Sequence, residues 1–155
     1  MSDSHDNMVA IKKAVDLFNE KKVSIVLHAG DIVAPFTARE FGKLKMKFAG
    51  VFGNNDGDKP LLLEKFKDIG ELHEDFFETE LDGKKIVVIH QPKFVKEVSK
   101  EKKYDIIIYG HTHKVDISKG ASLVINPGET GGWLYGRSTV AILDTKDMNV
   151  EIFDL

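Results

Sequence analysis

Two periodicities alternate along the first two thirds of the chain, and only one continues to its end. Met8, Ile11, Val15 and Phe18 recur at the spacing of a one-faced amphipathic helix, with Asn7 placed as its N-cap and Lys21 and Lys22 in its last turn, where cations suit the dipole. Residues 23–27 are a short apolar run rich in β-branched side chains and read as a buried strand. The alternation repeats: a helix over 37–44, a strand over 46–52, and a helix over 59–68 with Pro60 near its first turn. Residues 76–81 and 85–89 flank Asp82-Gly83, a favoured two-residue hairpin turn. A helix over 95–102 leads into an apolar strand over 105–109. Beyond position 113 the pattern is all strand: 115–118 and 121–125 flank Lys119-Gly120, and 138–143 pairs with 149–153 around a turn at 145–148. Alternating β and α followed by β-hairpins predicts two packed sheets with helices outside.

Composition narrows the picture. At 155 residues, with no repeats, linkers or low-complexity tracts, the chain reads as a single domain, 1–155, with a genuine core. Hydrophobic residues at 42% and charged residues at 30% suit a soluble globular protein. The formal charge of −3 argues against a dedicated nucleic-acid binder, and nucleic acid is not an expected partner. No apolar run reaches the roughly 18 residues needed to span a bilayer, so no membrane partner is expected either. The N-terminus has no signal-peptide character, and a cytoplasmic location is the default. Cysteine is absent, so any metal must be held by oxygen and nitrogen.

Candidate chemistry recurs at strand ends. After the 105–109 strand, Gly110-His111-Thr112-His113 places two imidazoles one residue apart, on one face of extended chain. Neutral imidazole is a common ligand for borderline metals. Asp3 and His5 form a similar pair ahead of the first helix. Asp31 follows Gly30 past the 23–27 strand, Asn54 follows Gly53 past the 46–52 strand, and His90 closes the 85–89 strand. Carboxyl ends of buried strands are where α/β folds assemble ligand sites. If the sheets align these ends, Asp3, His5, Asp31, Asn54, His90, His111 and His113 converge. That set exceeds one tetrahedral zinc and suits two metals sharing a carboxylate. His28 reads as a hydrogen-bonded structural histidine, His73 as surface, and the glycine-rich loop over 128–132 as a flexible rim. Trp133 and Tyr135 are placed either on that rim or in an oligomer contact.

Asp3-Ser4-His5, Gly30-Asp31, Gly53-Asn54-Asn55-Asp56, His90 and Gly110-His111-Thr112-His113, in that order, resemble the motifs of calcineurin-like metallophosphoesterases, specifically the small bacterial and archaeal phosphodiesterase group. Asn126-Pro127-Gly128 also matches a loop of that group, and the resemblance runs through essentially the whole chain. It implies an α/β (α+β) fold, a four-layer αββα sandwich of two mixed β-sheets flanked by helices, in agreement with the periodicity. It implies that Asp3, His5, Asp31 and His113 hold one divalent transition-metal ion and that Asp31, Asn54, His90 and His111 hold a second, Asp31 bridging. Manganese is the leading expectation, with Ni, Co, Fe or Zn as others. The implied activity is hydrolysis of a small-molecule phosphate ester by metal-activated water, a bridging hydroxide. Asp31, Asn54 and His90 would act through the metals, and no side chain would serve as nucleophile.

Three departures shape the expectations. Asn55 stands where many members carry a histidine that assists the leaving group, so Asn55 is expected to bind substrate phosphate without transferring a proton. That favours good leaving groups and modest rates on ordinary diesters. Gln91-Pro92 replaces a common Gly-His, altering that wall of the pocket. Only Met1 and Ser2 precede Asp3, where members have an apolar strand of about half a dozen residues, normally central in its sheet. The expectation is a late start to the sequence, which would leave backbone groups unpaired, or cross-subunit pairing in a homo-oligomer. The alternatives to a phosphodiesterase are a phosphomonoesterase or a non-catalytic binding scaffold like the retromer sorting subunit of the same fold.

Overall fold

The computed structural model describes residues 1–155. Asn7 caps the first helix as predicted, its side-chain oxygen accepting from the N–H of Ala10 at 3.2 Å. Helix α1 (Met8–Lys21) buries Ala10, Ile11, Ala14, Val15 and Phe18 on one face and ends where Lys22 turns left-handed. Strand β1 (Ile25–His28) follows. The helix expected over 37–44 is shorter: a 3-10 turn begun by Pro35 passes into α2 (Ala38–Phe41), and Gly42 ends it. Strand β2 (Lys47–Val51) and helix α3 (Lys59–Phe66), capped by Asp58, complete this half. Strand β3 (Glu71–His73) has no sequence signal, since only Leu72 of its three residues is buried.

The second half is β4 (Phe76–Leu81), β5 (Lys84–Ile89), α4 (Val95–Lys100), β6 (Ile106–Ile108), β7 (Val115–Lys119), β8 (Leu123–Pro127), β9 (Thr139–Asp144) and β10 (Asn149–Asp154). One sheet is mixed and five-stranded, in the order β4-β5-β6-β8-β7. The other layer comes in two pieces, a parallel β1-β2-β3 sheet and an antiparallel β9-β10 pair.

Three apolar clusters define the layers. Ile11, Val15 and Phe18 of α1 meet Val26, Phe48 and Val140 from one face of the divided layer. Its opposite face supplies Ala29, Val51, Ala141 and Leu143, which pack on Ile86, Val88, Ile106, Ile108 and Ile125 of the five-stranded sheet. The outer face of that sheet packs Val87, Ile89 and Ile107 against Val95 and Val98 of α4. Helix, sheet, sheet and helix are therefore stacked in that order, the αββα architecture the sequence predicted.

The division has a local cause. Between β1 and β9 lie Met1, Ser2 and Asp3, which hydrogen-bond on both sides as the end of a strand would. The Met1 amine donates to Leu27 O, Ala29 N donates to Met1 O and Asp3 N donates to Gly30 O, each at 2.9 Å. On the other side Thr130 N donates to Ser2 O and Gly131 N to Asp3 O, both at 2.9 Å. On the far side of Met1, the edges of β1 and β9 face each other across a cavity of about 520 Å³. Ile86, Ile108 and Ile125 form its floor and Phe18 lies in its wall.

Candidate metal centre

Asp31, Asn54, His90, His111 and His113 follow strands, Asp3 and His5 lie in the segment ahead of α1, and the backbone at most of the seven is unusual. Asp3, His5, Asp31, His111 and His113 have φ between 39° and 70°, the left-handed region. Asp and His tolerate it better than β-branched residues, but such conformations persist only where surrounding contacts hold them. Here the holding contacts are explicit. His5 N donates to Asp31 O at 3.1 Å, and His111 N donates to both carboxylate oxygens of Asp3 at 3.1 Å. Gly53 and Gly30 permit the close approach. A Cβ on Gly53 would collide with the Asp31 carboxylate, and one on Gly30 would lie 2.5 Å from His90 Nδ1.

The structure brings the seven predicted residues into two adjoining groups. Ligand atoms of Asp3, His5, Asp31 and His113 all lie within 4.8 Å of one another. Alongside, Asn54 Oδ1 is 3.0 Å from His90 Nε2 and 2.8 Å from His111 Nδ1, and those two ring nitrogens are 3.2 Å apart. Asp31 joins the groups: its Oδ2 is 3.4 Å from His5 Nε2 and 3.6 Å from His90 Nε2.

The chemistry of these atoms fits cations. His90 Nδ1 donates to Ala29 O at 2.8 Å, which leaves Nε2 with a lone pair directed at Asn54 Oδ1. His113 Nδ1 donates to Glu129 Oε2 at 2.9 Å, leaving its Nε2 as an acceptor 3.5 Å from Asp3 Oδ1. His5 Nε2 is buried and has no hydrogen-bond partner at all. Acceptors facing acceptors in a buried pocket are costly unless a positive ion lies among them. Asp3 is fully buried, and burial pushes its carboxyl up against the opposing pull of Ser2 and His113. The nitrogen and oxygen donors suit borderline divalent transition metals.

Several supporting residues escaped the sequence reading. Glu129 is buried, holds His113 in one tautomer, and accepts from the N–H groups of Trp133, Leu134 and Tyr135 at 2.7–3.1 Å. The loop over 128–132 is therefore not a rim. It is a packed brace against the first metal-ligand group, with Asn7 Nδ2 donating to Gly131 O at 2.7 Å. A carboxylate inside a run of small residues was the available signal. Asp56 accepts from the N–H groups of Asp31, Val33 and Gly53 at 2.6–3.1 Å, tying the turns after β1 and β2 together. Asn55 donates to Asp31 twice, from its backbone N–H to Oδ1 and from its side-chain amide to Oδ2, both at 2.8 Å. His28 is structural, as predicted: Gly30 N donates to its Nδ1 at 3.2 Å, so the proton is on Nε2, which meets Ser4 Oγ at 3.1 Å. Trp133 and Tyr135 are exposed at 64% and 55%, so they border the site without being part of its buried shell.

A buried carboxylate shared between two groups of imidazoles, at the carboxyl ends of strands from two stacked sheets, defines a metallophosphoesterase-like centre, and the chain belongs to the calcineurin-like phosphoesterase superfamily, whose domain model matches residues 1–148. It is a phosphoester hydrolase, of a family that uses divalent metal ions. Among its relatives is the phosphodiesterase MJ0936 of Methanocaldococcus jannaschii, 41% identical over 151 residues, which cover 94% of this chain and 91% of that one. A solved structure of an archaeal phosphodiesterase superposes with a TM-score of 0.95 at 38% identity, covering 100% of this chain and 97% of the other. Vps29 of Chaetomium thermophilum shares the fold at 14% identity, with a TM-score of 0.70 over 100% of this chain and 94% of its own. No helix is long and apolar enough to cross a membrane.

Proposed function

We propose that the chain is a phosphodiesterase that binds two divalent transition-metal ions, manganese first among them, and acts on a small-molecule phosphate diester. Asp3, His5, Asp31 and His113 would hold one ion, and Asp31, Asn54, His90 and His111 the other. The observation that carries this reading is the position of Asp31, whose Oδ2 lies 3.4 Å from a histidine of one group and 3.6 Å from a histidine of the other. The two phosphodiesterases among the relatives support the diester substrate.

Divalent ions bound there supply positive charge for a phosphoryl group and acidify water enough for it to attack near neutral pH. The protein's own residues do the rest. Glu129 and Ala29 O orient His113 and His90 so that each turns one lone pair inward. Asp56 and the Asn55 N–H hold Asp31 in its left-handed turn. The Asn55 side-chain amide reaches the other Asp31 oxygen, Oδ2, and would offer its remaining N–H to a bound phosphate. It offers a hydrogen bond without an acid's proton, so diesters with good leaving groups should react fastest.

The test has two readouts. Hydrolysis of bis(p-nitrophenyl) phosphate should require added Mn, and the Mn-loaded protein should carry two ions per chain by elemental analysis. One ion per chain, or hydrolysis that ignores Mn, would sink this account.

A further inference from the structure

A second cavity, of about 680 Å³, opens directly off the second ligand group and shares His90 and Asn54 with it. Its inner surface is apolar, formed by Val87, Ile89 and Val98. Two aromatic rings stand at its edges: Phe76, at the start of β4, is 54% exposed, and Phe94 is 50% exposed. Phe94 is carried there by the 3-10 turn that Pro92 starts. Large apolar rings left half in water beside a polar centre are informative where single scattered ones are not. The charges around this cavity are also telling. Lys59 is paired with Glu74 at 2.7 Å and Lys103 with Glu78 at 2.7 Å, whereas Asp75 and Glu101 have no cationic partner. A further cation, Lys93, stands over the Phe94 ring at 4.9 Å.

We propose that this cavity, walled by Phe76 and Phe94, is the subsite for one ester arm of the substrate, and that it selects a flat aromatic arm such as a nucleobase or aryl group. The proposal rests on the phosphodiesterase reading above, because the arm is anchored by a phosphoryl group at the adjoining centre. A diester must place two arms away from phosphorus. On the opposite side of the centre the border is Trp133 and Tyr135, with Lys114 stacked on Tyr135 at 5.3 Å. Each side thus carries a lysine over an aromatic ring, Lys93 on Phe94 and Lys114 on Tyr135, and the phenylalanine side adds the apolar cavity behind its rings that takes a flat arm.

Binding of simple phosphonates to the Mn-loaded protein, measured by calorimetry, separates the possibilities. Phenylphosphonate and methylphosphonate present the same head group and differ only in the ring. Phenylphosphonate should bind about tenfold tighter, the advantage given by one to two good aromatic contacts. In the Phe76→Ala/Phe94→Ala variant that advantage should vanish while methylphosphonate binds as before. If the ring's advantage survives in the Phe76→Ala/Phe94→Ala variant, or disappears instead in Trp133→Ala/Tyr135→Ala, the subsite assignment is wrong and the phosphodiesterase reading stands. If neither phosphonate binds, both fall.

Discussion

The two ends of the Met1–Asp3 segment meet very different surroundings. Toward the ligands, its backbone is bonded on one side to β1 and the turn that follows it, and on the other to residues 130 and 131, while Asp3 holds His111 through two further hydrogen bonds. Left-handed conformations at five ligand residues survive there because nearly every polar group near them is engaged. Toward the other end, beyond the Met1 amine, two sheet edges face a cavity of about 520 Å³ over a floor of isoleucines. The strained turns are thus held by dense polar bracing, whereas the cavity between β1 and β9 is lined mostly by apolar side chains.

The largest effect should come from the shared carboxylate. Asp31→Ala should lower Mn-dependent hydrolysis on the order of 10³-fold, comparable to losing a principal charge-stabilising group. Metal content per chain should fall with it, and a variant that keeps two ions and near-normal rates would dissolve the distinction between the ends.

A pH dependence comes next. Burial holds the His28 ring neutral, well below its ordinary range. A base whose folded value is depressed binds its proton better when unfolded, so stability falls as pH drops through the ordinary imidazole range, roughly 6.5. Denaturant melts at several pH values should show the slope, and its absence would mean that the ring takes up a proton in the folded protein.

The smallest effect belongs to the bracing. Glu129→Gln keeps the shape but weakens the charge on His113, and should reduce Mn affinity about 10–100-fold with little change in Tm. Titration calorimetry with Mn reads this directly. Unaltered affinity would make Glu129 a loop anchor only.

The layer order and most elements were legible in the sequence because strands and helices announce themselves by period, and the seven candidate ligands stood out because α/β folds assemble ligand sites at strand ends. Where boundaries moved, local chemistry did it, as with Pro35 and Gly42 trimming the helix expected over 37–44. β3 was invisible because three residues with one buried side chain carry no period. Glu129 was missed, and the role of Asp56 was not readable, for a different reason. A carboxylate's partners here are backbone N–H groups and a histidine brought from elsewhere in the chain, and nothing in the neighbouring letters records that meeting.

By itself, then, the order of residues determined the kind of elements, the carboxyl-end placement of the ligands and the donor chemistry available to a metal, since each depends on near neighbours or on residue type. Only the tertiary structure decided that Asp31 stands between both groups of histidines and that residues 128–132 brace the centre. Those outcomes depend on which surfaces meet across two sheets, and that is settled by packing distances between residues far apart in the chain.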